Sequence, residues 1–292
     1  MILLDAPRWP AHGTLWGHLV SDASLAELHT FARAAGLPAR SFDHDHYDYP
    51  LARHDELVAL GAALVPSTEL LRRLRTAGLR VRPAQKTPSR AEASDRLRRA
   101  WSGLLPAERG LRDDLLARWS EPHRRYHDLR HLASCLMALA ALDVDDDPVV
   151  QLAAWFHDAV YTGRAGEDEE ASAVLAEQRL DGLLPDADVA EVARLVRLTA
   201  THDPAPGDAR GAALVDADLS ILGALPGRYH VYARDVRLEY DHLDADTFAA
   251  GRAAVLRTLL ARRPLFRTPA GIQLWERPAR TNMREELAEL TG

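Results

Sequence analysis

The stretch AAWFHDAVY, residues 153–161, ends an apolar run with the adjacent pair His157 and Asp158. Imidazole and carboxylate groups are ligands that divalent cations accept. A charged group in an apolar setting is costly unless it is paired or bound to a metal. Two further stretches carry the same residue types, YHDLRH at residues 126–131 and LVDADL at residues 214–219. We therefore expect the three stretches to converge on one metal ion.

The apolar residues around these stretches recur at helical spacing. They repeat every three or four positions through most of residues 93–292, and no strand pattern interrupts them. In residues 1–82, by contrast, short apolar runs alternate with turn residues and short helical segments. The polar, proline-containing residues 83–92 have the composition of a linker. The expected fold class is α+β overall, with a small α/β domain followed by an all-α domain.

Composition limits the classes of function. The formal net charge of −7 does not favour nucleic acid or an anionic membrane as a partner. Cys135 is the only cysteine, which excludes an internal disulfide and a thiolate-rich zinc site, and its apolar helical surroundings indicate a small core residue. The first residues are interrupted too soon for a signal peptide, and no apolar run approaches the roughly 18 residues that span a bilayer. A cytoplasmic location is expected.

Helix geometry limits which of the polar side chains can share a ligand. His127 and His131 are four positions apart, so they share one face of a helix that is expected to begin near residue 126. His157 and Asp158 point about 100° apart on a helix, so both reach one ion only if it sits at the helix end or the side chains bend inward. The two aspartates of residues 216–218 cannot both face one point. One is expected as a ligand, and the other as a support for the helix or a histidine.

A second polar cluster, DHDHYD at residues 43–48, lies in the N-terminal part. In an extended chain alternate side chains share a face, so His44 and His46 would point together, with the neighbouring aspartates opposite. Asp5, at the end of the first expected strand, is able to join either set. Two interpretations stay open, namely a functional site, with or without a metal, and an ordinary polar loop after a strand.

Several features of residues 1–82 also occur together in a small bacterial domain family of unknown function. They are the Leu-Asp pair after the first expected strand, WGHL at 16–19, ELHTFA at 27–32, HYD at 46–48 and Gly61-Ala62. The N-terminal part resembles this family over roughly residues 1–82. The resemblance implies no established chemistry.

A larger set of residues lies in the helical part. It consists of EPHR at 121–124, Tyr126-His127 with His131, WFHDAVY at 155–161, Glu169 with Ser172-Ala173, Thr201-His202, DADLSILG at 216–223, Tyr229, Tyr232, Val236-Arg237, Glu239-Tyr240, Gly251-Arg252, Ala279-Arg280 and Asn282. Residues 93–292 thereby resemble the HD superfamily of metal-dependent phosphohydrolases, in particular a bacterial branch of it. The resemblance spans the whole helical part and implies an all-α HD-type domain.

The resemblance implies one divalent metal ion, which would be Mn²⁺, Mg²⁺, Fe²⁺, Co²⁺ or Ni²⁺. The implied ligands are two histidines and two aspartates, namely His131, His157, Asp158 and Asp218. The family presents its last aspartate as the second of D-x-D, which favours Asp218 over Asp216. One metal is favoured over two, because His202 is the only histidine between His157 and Asp218. His127 remains available to help hold a second ion.

The resemblance also implies a reaction, which is hydrolysis of a phosphate ester or anhydride by metal-activated water. The residues expected to assist catalysis are Asp158, which would orient the water, His127 and His202, which would stabilise or protonate the leaving group, and Glu169, which would position the water or a histidine. The family's usual asparagine before Glu169 is Asp168 here, which weakens a role for this turn near the metal. Substrate contacts are expected from Arg124 and Arg237, drawn from a pool that also contains Arg125, Arg164 and Arg234.

The expected partner is a small phosphorylated substrate, in particular a nucleotide, and no membrane partner is expected. The alternative is a metal-bound HD module that binds or senses a nucleotide without hydrolysing it. Nucleic-acid processing is disfavoured by the acidic balance of the chain. A monomer and a homodimer are both compatible with the sequence.

Overall fold

A computed structural model of the chain describes residues 1–291. The backbone divides into two compact units, of which the first comprises residues 1–86 with residues 225–231, and the second the remainder. The first unit contains a small mixed sheet with helices, and the second is helical. The α+β class expected from the sequence is therefore confirmed.

Residues 1–86 form a five-stranded sheet and three α-helices. The strands are β1 (Ile2–Leu4), β2 (Trp9–Ala11), β3 (Thr14–Ser21), β4 (Tyr47–Pro50) and β5 (Ala63–Leu64). Strands β1, β2 and β4 pair antiparallel with β3, whereas β5 lies parallel to β1. The helices are α1 (Leu25–Ala34), α2 (His54–Ala59) and α3 (Ser67–Thr76), and single 3₁₀ turns occupy Ala39–Ser41, Leu51–Arg53 and Pro83–Gln85.

The sheet brings the polar ends of several strands together. Strand β1 is buried throughout, as its continuous apolar run indicates, and it ends next to Asp5. A Cβ atom at Gly17 would lie 2.8 Å from the Tyr49 ring and 2.9 Å from the backbone oxygen of Asp5. The close approach of β3 to β4 therefore requires glycine at this position. As a result, His18 lies directly opposite Asp48 in the β3–β4 register.

Helices build the second unit, and residues 87–224 and 232–291 contain no strand. They are α4 (Arg90–Leu104), α5 (Arg109–Arg118), α6 (Leu129–Ala141), α7 (Pro148–Phe156), α8 (Glu167–Leu180), α9 (Asp186–Leu198), α10 (Ala209–Leu219), α11 (Pro226–Glu239), α12 (Ala245–Ala261), α13 (Pro269–Gly271) and α14 (Arg277–Thr291). Residues 226–231 at the start of α11 are counted with the first unit. A 3₁₀ turn at Ser220–Gly223 follows α10, and a π-helical segment at Ile272–Glu276 leads into α14. Among the described residues, none of these helices combines the length and apolar character needed to cross a bilayer.

An apolar core holds the central helices of this unit together. Helix α6 packs against α4, α7 and α10, while α7 also packs against α9. Leu132, Leu139, Phe156, Leu195 and Leu214 are fully buried between them. Each such side chain contributes roughly 1.5–3 kcal/mol relative to exposure. Close packing of this kind fixes the positions of the helix ends, which carry the polar residues.

Helix ends decide where the predicted ligands point. Helix α6 begins only after Asp128, whose side chain caps it by accepting a hydrogen bond from the backbone N–H of Arg130 at 2.8 Å. The expectation that this helix begins near residue 126 is therefore wrong, and His127 does not share a helical face with His131. Helix α7 ends one residue before His157, so the HD pair lies at a helix end.

Candidate metal centre

The two histidines and the second aspartate of D-x-D come close together in the helical unit. Nε2 of His131 lies 3.1 Å from Nε2 of His157 and 3.1 Å from Oδ1 of Asp218. Nε2 of His157 lies 3.7 Å from the same oxygen. Asp158 is adjacent, with its Oδ2 3.5 Å from Nε2 of His157 and 4.0 Å from Nε2 of His131. Four of the residues singled out by sequence thus lie around one small region.

A hydrogen bond orients the ring of His157 toward this region. Nδ1 of His157 donates to the backbone oxygen of Ala154 at 2.8 Å, so Nε2 carries the lone pair. That lone pair faces Nε2 of His131, and a cation bound beside both nitrogens would satisfy them together. Burial lowers the pKa of His131, which favours the neutral form that binds metals. The donor set therefore fits a divalent ion.

Cys135 belongs to the same cluster. Its Sγ lies 3.6 Å from Nε2 and 3.8 Å from Nδ1 of His131, one helical turn earlier on α6. Ligand atoms of His131, Cys135, His157 and Asp218 all lie within 4.8 Å of one another, and these residues could hold a metal ion. Cys135 is buried, as the sequence predicted. Its contact with His131 was not predicted, although residues four positions apart lie on the same face of a helix. Burial raises the pKa of its thiol.

The two aspartates of residues 216–218 have different partners. Oδ2 of Asp218 accepts a hydrogen bond from Nε2 of His202 at 2.7 Å. Burial alone raises the pKa of Asp218, but the hydrogen bonds from His131 and His202 hold it well below its usual range. Asp216 instead accepts hydrogen bonds from the backbone N–H groups of residues 267–268, each at 2.7 Å. Asp216 therefore stabilises the loop at residues 267–268. The prediction that it supports the helix or a histidine is wrong.

His127 is held by Glu239, whose contact with it the sequence did not predict. Oε2 of Glu239 lies 2.6 Å from Nδ1 of His127, and Oε1 accepts hydrogen bonds from three successive backbone N–H groups at residues 125–127, each at 2.8 Å. The Tyr161 ring stacks on the imidazole, and its hydroxyl donates to Glu239 at 3.1 Å. Burial lowers the pKa of His127, but Glu239 outweighs this effect and raises it. Burial raises the pKa of Glu239, but His127 brings it down to about 2.

Glu169 and Asp168 organise the loop before α8. Glu169 accepts a hydrogen bond from the backbone N–H of Gly166 at 2.5 Å and so closes the N-terminal end of the helix. Asp168 accepts hydrogen bonds from the backbone N–H groups of Thr162 and Arg164, at 2.7 and 2.9 Å. In this structure Glu169 therefore caps the helix, and it also lines the cavity described below.

The two arginines expected to bind substrate are engaged elsewhere. Arg124 is fully buried, and its Nη1 donates to the backbone oxygens of His127 and Asp158 at 3.0 and 2.8 Å. Arg237 donates to two backbone oxygens of the turn 240–243. Their guanidinium groups tie backbone segments together, so the expected substrate contacts do not fit this structure.

The cluster of His131, Cys135, His157 and Asp218 lies beside a cavity of about 480 Å³. His127, Asp158, His202 and Asp218 supply polar lining, and Arg164 contributes a side chain that is 73% exposed. Aromatic lining comes from Tyr126, Tyr161, Tyr232, Tyr240 and Phe248. Volumes of roughly 300–1,000 Å³ are typical of sites for small molecules.

The N-terminal cluster differs from its expected arrangement. His44 has a positive φ of 63°, so residues 43–46 are not extended and the alternation of side chains is lost. The expectation that His44 and His46 point together is wrong. The structure brings His46 to His18 and Asp48 instead, and the ligand atoms of these three residues lie within 4.8 Å of one another.

Comparison with known proteins informs only the first part of the chain. Residues 2–77 match the family described as "Protein of unknown function (DUF4031)". This confirms the resemblance of the N-terminal part to a family of unknown function. No curated protein and no solved structure matches the chain.

Proposed function

We propose that the helical unit is a metal-dependent phosphohydrolase of the HD type, which cleaves a phosphate ester or anhydride of a nucleotide or a similar small molecule. One observation carries this proposal. The side chains of His131, His157, Asp158 and Asp218 come together, and the two carboxylates line a cavity of small-molecule size. Metal ligands beside a cavity indicate a site where substrate meets the ion, in contrast to a closed structural metal site.

The donor set suits one ion among Mn²⁺, Mg²⁺, Fe²⁺, Co²⁺ and Ni²⁺, because two imidazoles and two carboxylates are borderline to hard ligands. When bound, such an ion polarises a phosphoryl oxygen and lowers the pKa of a coordinated water molecule. Asp158 lines the cavity and its Oδ2 is 3.5 Å from Nε2 of His157, which supports a role in orienting an attacking water molecule. His202 holds Oδ2 of Asp218, which leaves Oδ1 directed at the histidines.

His127 is the best-placed group to protonate a leaving oxygen. Its Nδ1 is occupied by Glu239, so Nε2 is the nitrogen that remains to serve a substrate in the cavity. A histidine that is oriented by a carboxylate is a common general acid in enzymes. Glu239 is itself held by three backbone N–H groups, which limits its movement.

The lining of the cavity favours a substrate with both a phosphate and a ring. The aromatic side chains on one part of the wall offer flat surfaces on which a nucleobase would stack. Arg164 offers a guanidinium at an exposed position of the same wall, where it would contact a phosphate. A nucleotide combines the two groups in one molecule.

Metal-free protein, reloaded separately with each of the five ions, tests the proposal. Phosphate release would be followed for nucleoside mono-, di- and triphosphates, inorganic pyrophosphate and a simple aryl phosphate. We expect turnover only with metal, and its loss in His157→Ala and Asp158→Ala. His242→Ala, which replaces a histidine outside the cavity, serves as the matched control.

Two results would contradict the hydrolase. If nucleotide binds by calorimetry but no ion supports turnover, the domain is the non-catalytic nucleotide sensor. If the protein neither binds nor hydrolyses any of these phosphates, both functions fail for this cavity.

A further inference from the structure

A second group of histidines and aspartates lies in the first unit, and the proposed hydrolase does not use it. His18 lies on β3 and Asp48 lies opposite it on β4, while His46 immediately precedes β4. Nε2 of His46 is 3.4 Å from Oδ1 of Asp48, and Nε2 of His18 is 4.0 Å from the same oxygen. Three potential ligand atoms are thus brought together by strand pairing.

Each histidine is also held at its other ring nitrogen by a buried carboxylate. Nδ1 of His18 lies 3.2 Å from Oδ2 of Asp5, and Nδ1 of His46 lies 2.6 Å from Oδ1 of Asp45. When Nδ1–H donates to a carboxylate, Nε2 carries the lone pair. This pairing orients metal-binding histidines in proteins and makes them better ligands. In the neutral, metal-binding form of both rings, these lone pairs belong to the nitrogens that lie nearest Asp48.

The supporting carboxylates are themselves firmly held. Asp5 is almost entirely buried, and it accepts hydrogen bonds from the backbone N–H of His18 and from Oγ of Ser67, both at 2.7 Å. Asp45 is fully buried, and it accepts from the backbone N–H of Val81 at 2.7 Å. Neither carboxylate can follow a moving histidine. The positions of both imidazoles are therefore set before any ligand arrives.

The charge around this cluster favours a cation. Three carboxylates, those of Asp5, Asp45 and Asp48, surround the two imidazoles, and Arg80 contributes one compensating guanidinium at 3.0 Å from Asp45. Burial lowers the pKa of His46, but Asp45 and Asp48 outweigh this effect and raise it to about 9, so a cation bound at Nε2 of His46 takes the place of a proton. The side chains of His18 and Asp48 are 29% and 42% exposed, so an ion can enter from solvent and retain a water molecule.

We propose that His18, His46 and Asp48 form a second metal site, which binds a divalent transition ion such as Zn²⁺ through two Nε2 atoms and one carboxylate. Asp5 and Asp45 act as positioning residues that hold the two imidazoles. Two histidines and one carboxylate with an open position form a ligand set typical of catalytic zinc sites and not of closed structural ones. The site belongs to the N-terminal unit alone and does not depend on the function of the helical unit.

Zinc binding to the full-length protein tests this site. Metal-free protein would be titrated with Zn²⁺ in competition with a chromophoric chelator, in a His157→Ala background that disables the helical centre. We expect one equivalent of bound Zn²⁺ in this background. Adding His46→Asn or His18→Asn is expected to weaken that binding by at least about 100-fold. His12→Asn, at an exposed histidine of the same unit, is the matched control and is expected to change nothing.

The positioning residues need a separate readout. Asp5→Asn is expected to weaken Zn²⁺ binding by about 10- to 100-fold, because the amide keeps the shape of the side chain but loses its charge. Imidazole nitrogen resonances of the ¹⁵N-histidine-labelled His157→Ala protein provide a measurement that does not depend on variants of the site folding correctly. Zn²⁺ is expected to shift the resonances of His18 and His46 together. If Zn²⁺ leaves these resonances unchanged, or binds equally to the His46→Asn variant, the metal site is refuted and His46 is an ion-pair partner of Asp45 and Asp48.

Discussion

Glu239 Oε2 lies 2.6 Å from Nδ1 of His127, although the two residues are 112 positions apart in the chain. The same carboxylate accepts hydrogen bonds from the backbone N–H groups of residues 125–127. The end of α11 therefore fixes both the backbone and the ring of a histidine that lines the cavity. In the proposed hydrolase, Glu239 is the residue that keeps His127 ready to donate a proton.

Glu239→Gln is expected to lower kcat by about 10- to 100-fold with little change in KM. Loss of the carboxylate also lowers the pKa of His127, because Glu239 is what raises it. A general acid loses its proton as the pH rises through its pKa, so the alkaline limb of the pH–kcat profile should move to lower pH. Glu285→Gln, at an exposed glutamate of α14, is the control. An unchanged alkaline limb in Glu239→Gln would show that His127 is not the acid.

Cys135→Ala is expected to retain the metal ion and to keep kcat within about threefold. The sulfur is nearly equidistant from both ring nitrogens of His131, which indicates packing against the ring. In the proposed hydrolase the two histidines and two aspartates supply four ligands without it. Metal content and the visible spectrum of the Co²⁺-loaded protein check this. A thiolate-to-cobalt charge-transfer band in the wild type, lost with the ion in Cys135→Ala, would instead make Cys135 a ligand.

Arg164→Ala is expected to raise KM for the phosphorylated substrate by about tenfold without affecting stability. Its side chain lines the cavity and is 73% exposed, and among the described residues its one ion pair is a 3.4 Å contact with Glu167, so it is available to a phosphate. Steady-state kinetics and urea unfolding measure the two effects. Arg99→Ala, at an exposed arginine of α4, is the control. Equal KM values for the two variants would remove Arg164 from the substrate site.

Arg124→Met is expected to destabilise the protein by about 3 kcal/mol. The guanidinium is fully buried and donates to the backbone oxygens of His127 and Asp158, which would be left without these donors. Urea unfolding measures the loss. If Arg124→Met were as stable as wild type but raised KM, Arg124 would be a substrate contact after all.

The stability of the first unit is expected to fall as the pH drops below about 6.5. Burial, together with His230 and Arg33, lowers the pKa of His29 to about 3, so the native protein keeps this residue neutral while the unfolded chain takes up a proton. The contribution of neutral His29 to the free energy of unfolding is complete above pH 6.5 and declines toward pH 3. By pH 5 this contribution has fallen by roughly 2 kcal/mol. Amide hydrogen exchange in α1 of the full chain, corrected for intrinsic rates, measures it. His29→Phe should show a smaller loss, and equal losses would exclude His29 as the cause.

Spacing along the chain was sufficient to predict the helical character of the second unit and the α+β class. Helical periodicity records which faces are buried, and apolar residues of α6 such as Leu132 and Leu139 are fully buried. Residue chemistry was sufficient to single out the three stretches that carry His131, His157 and Asp218, since polar groups inside apolar helices need partners. The choice of Asp218 over Asp216 came from the resemblance to the HD superfamily. The start of α6 was misjudged because Asp128 was not recognised as its cap.

The partners of the polar side chains were decided by tertiary packing alone. Glu239 reaches His127 across 112 residues, and Asp5 reaches His18 only because β1 and β3 pair and Gly17 permits the close approach of Tyr49. Local propensities are set by neighbours within a few residues, whereas a hydrogen bond requires two atoms to meet within about 3 Å. The sequence could therefore indicate which histidines and aspartates are important. Only the folded chain shows which carboxylate holds each imidazole and which arginines donate to backbone oxygens.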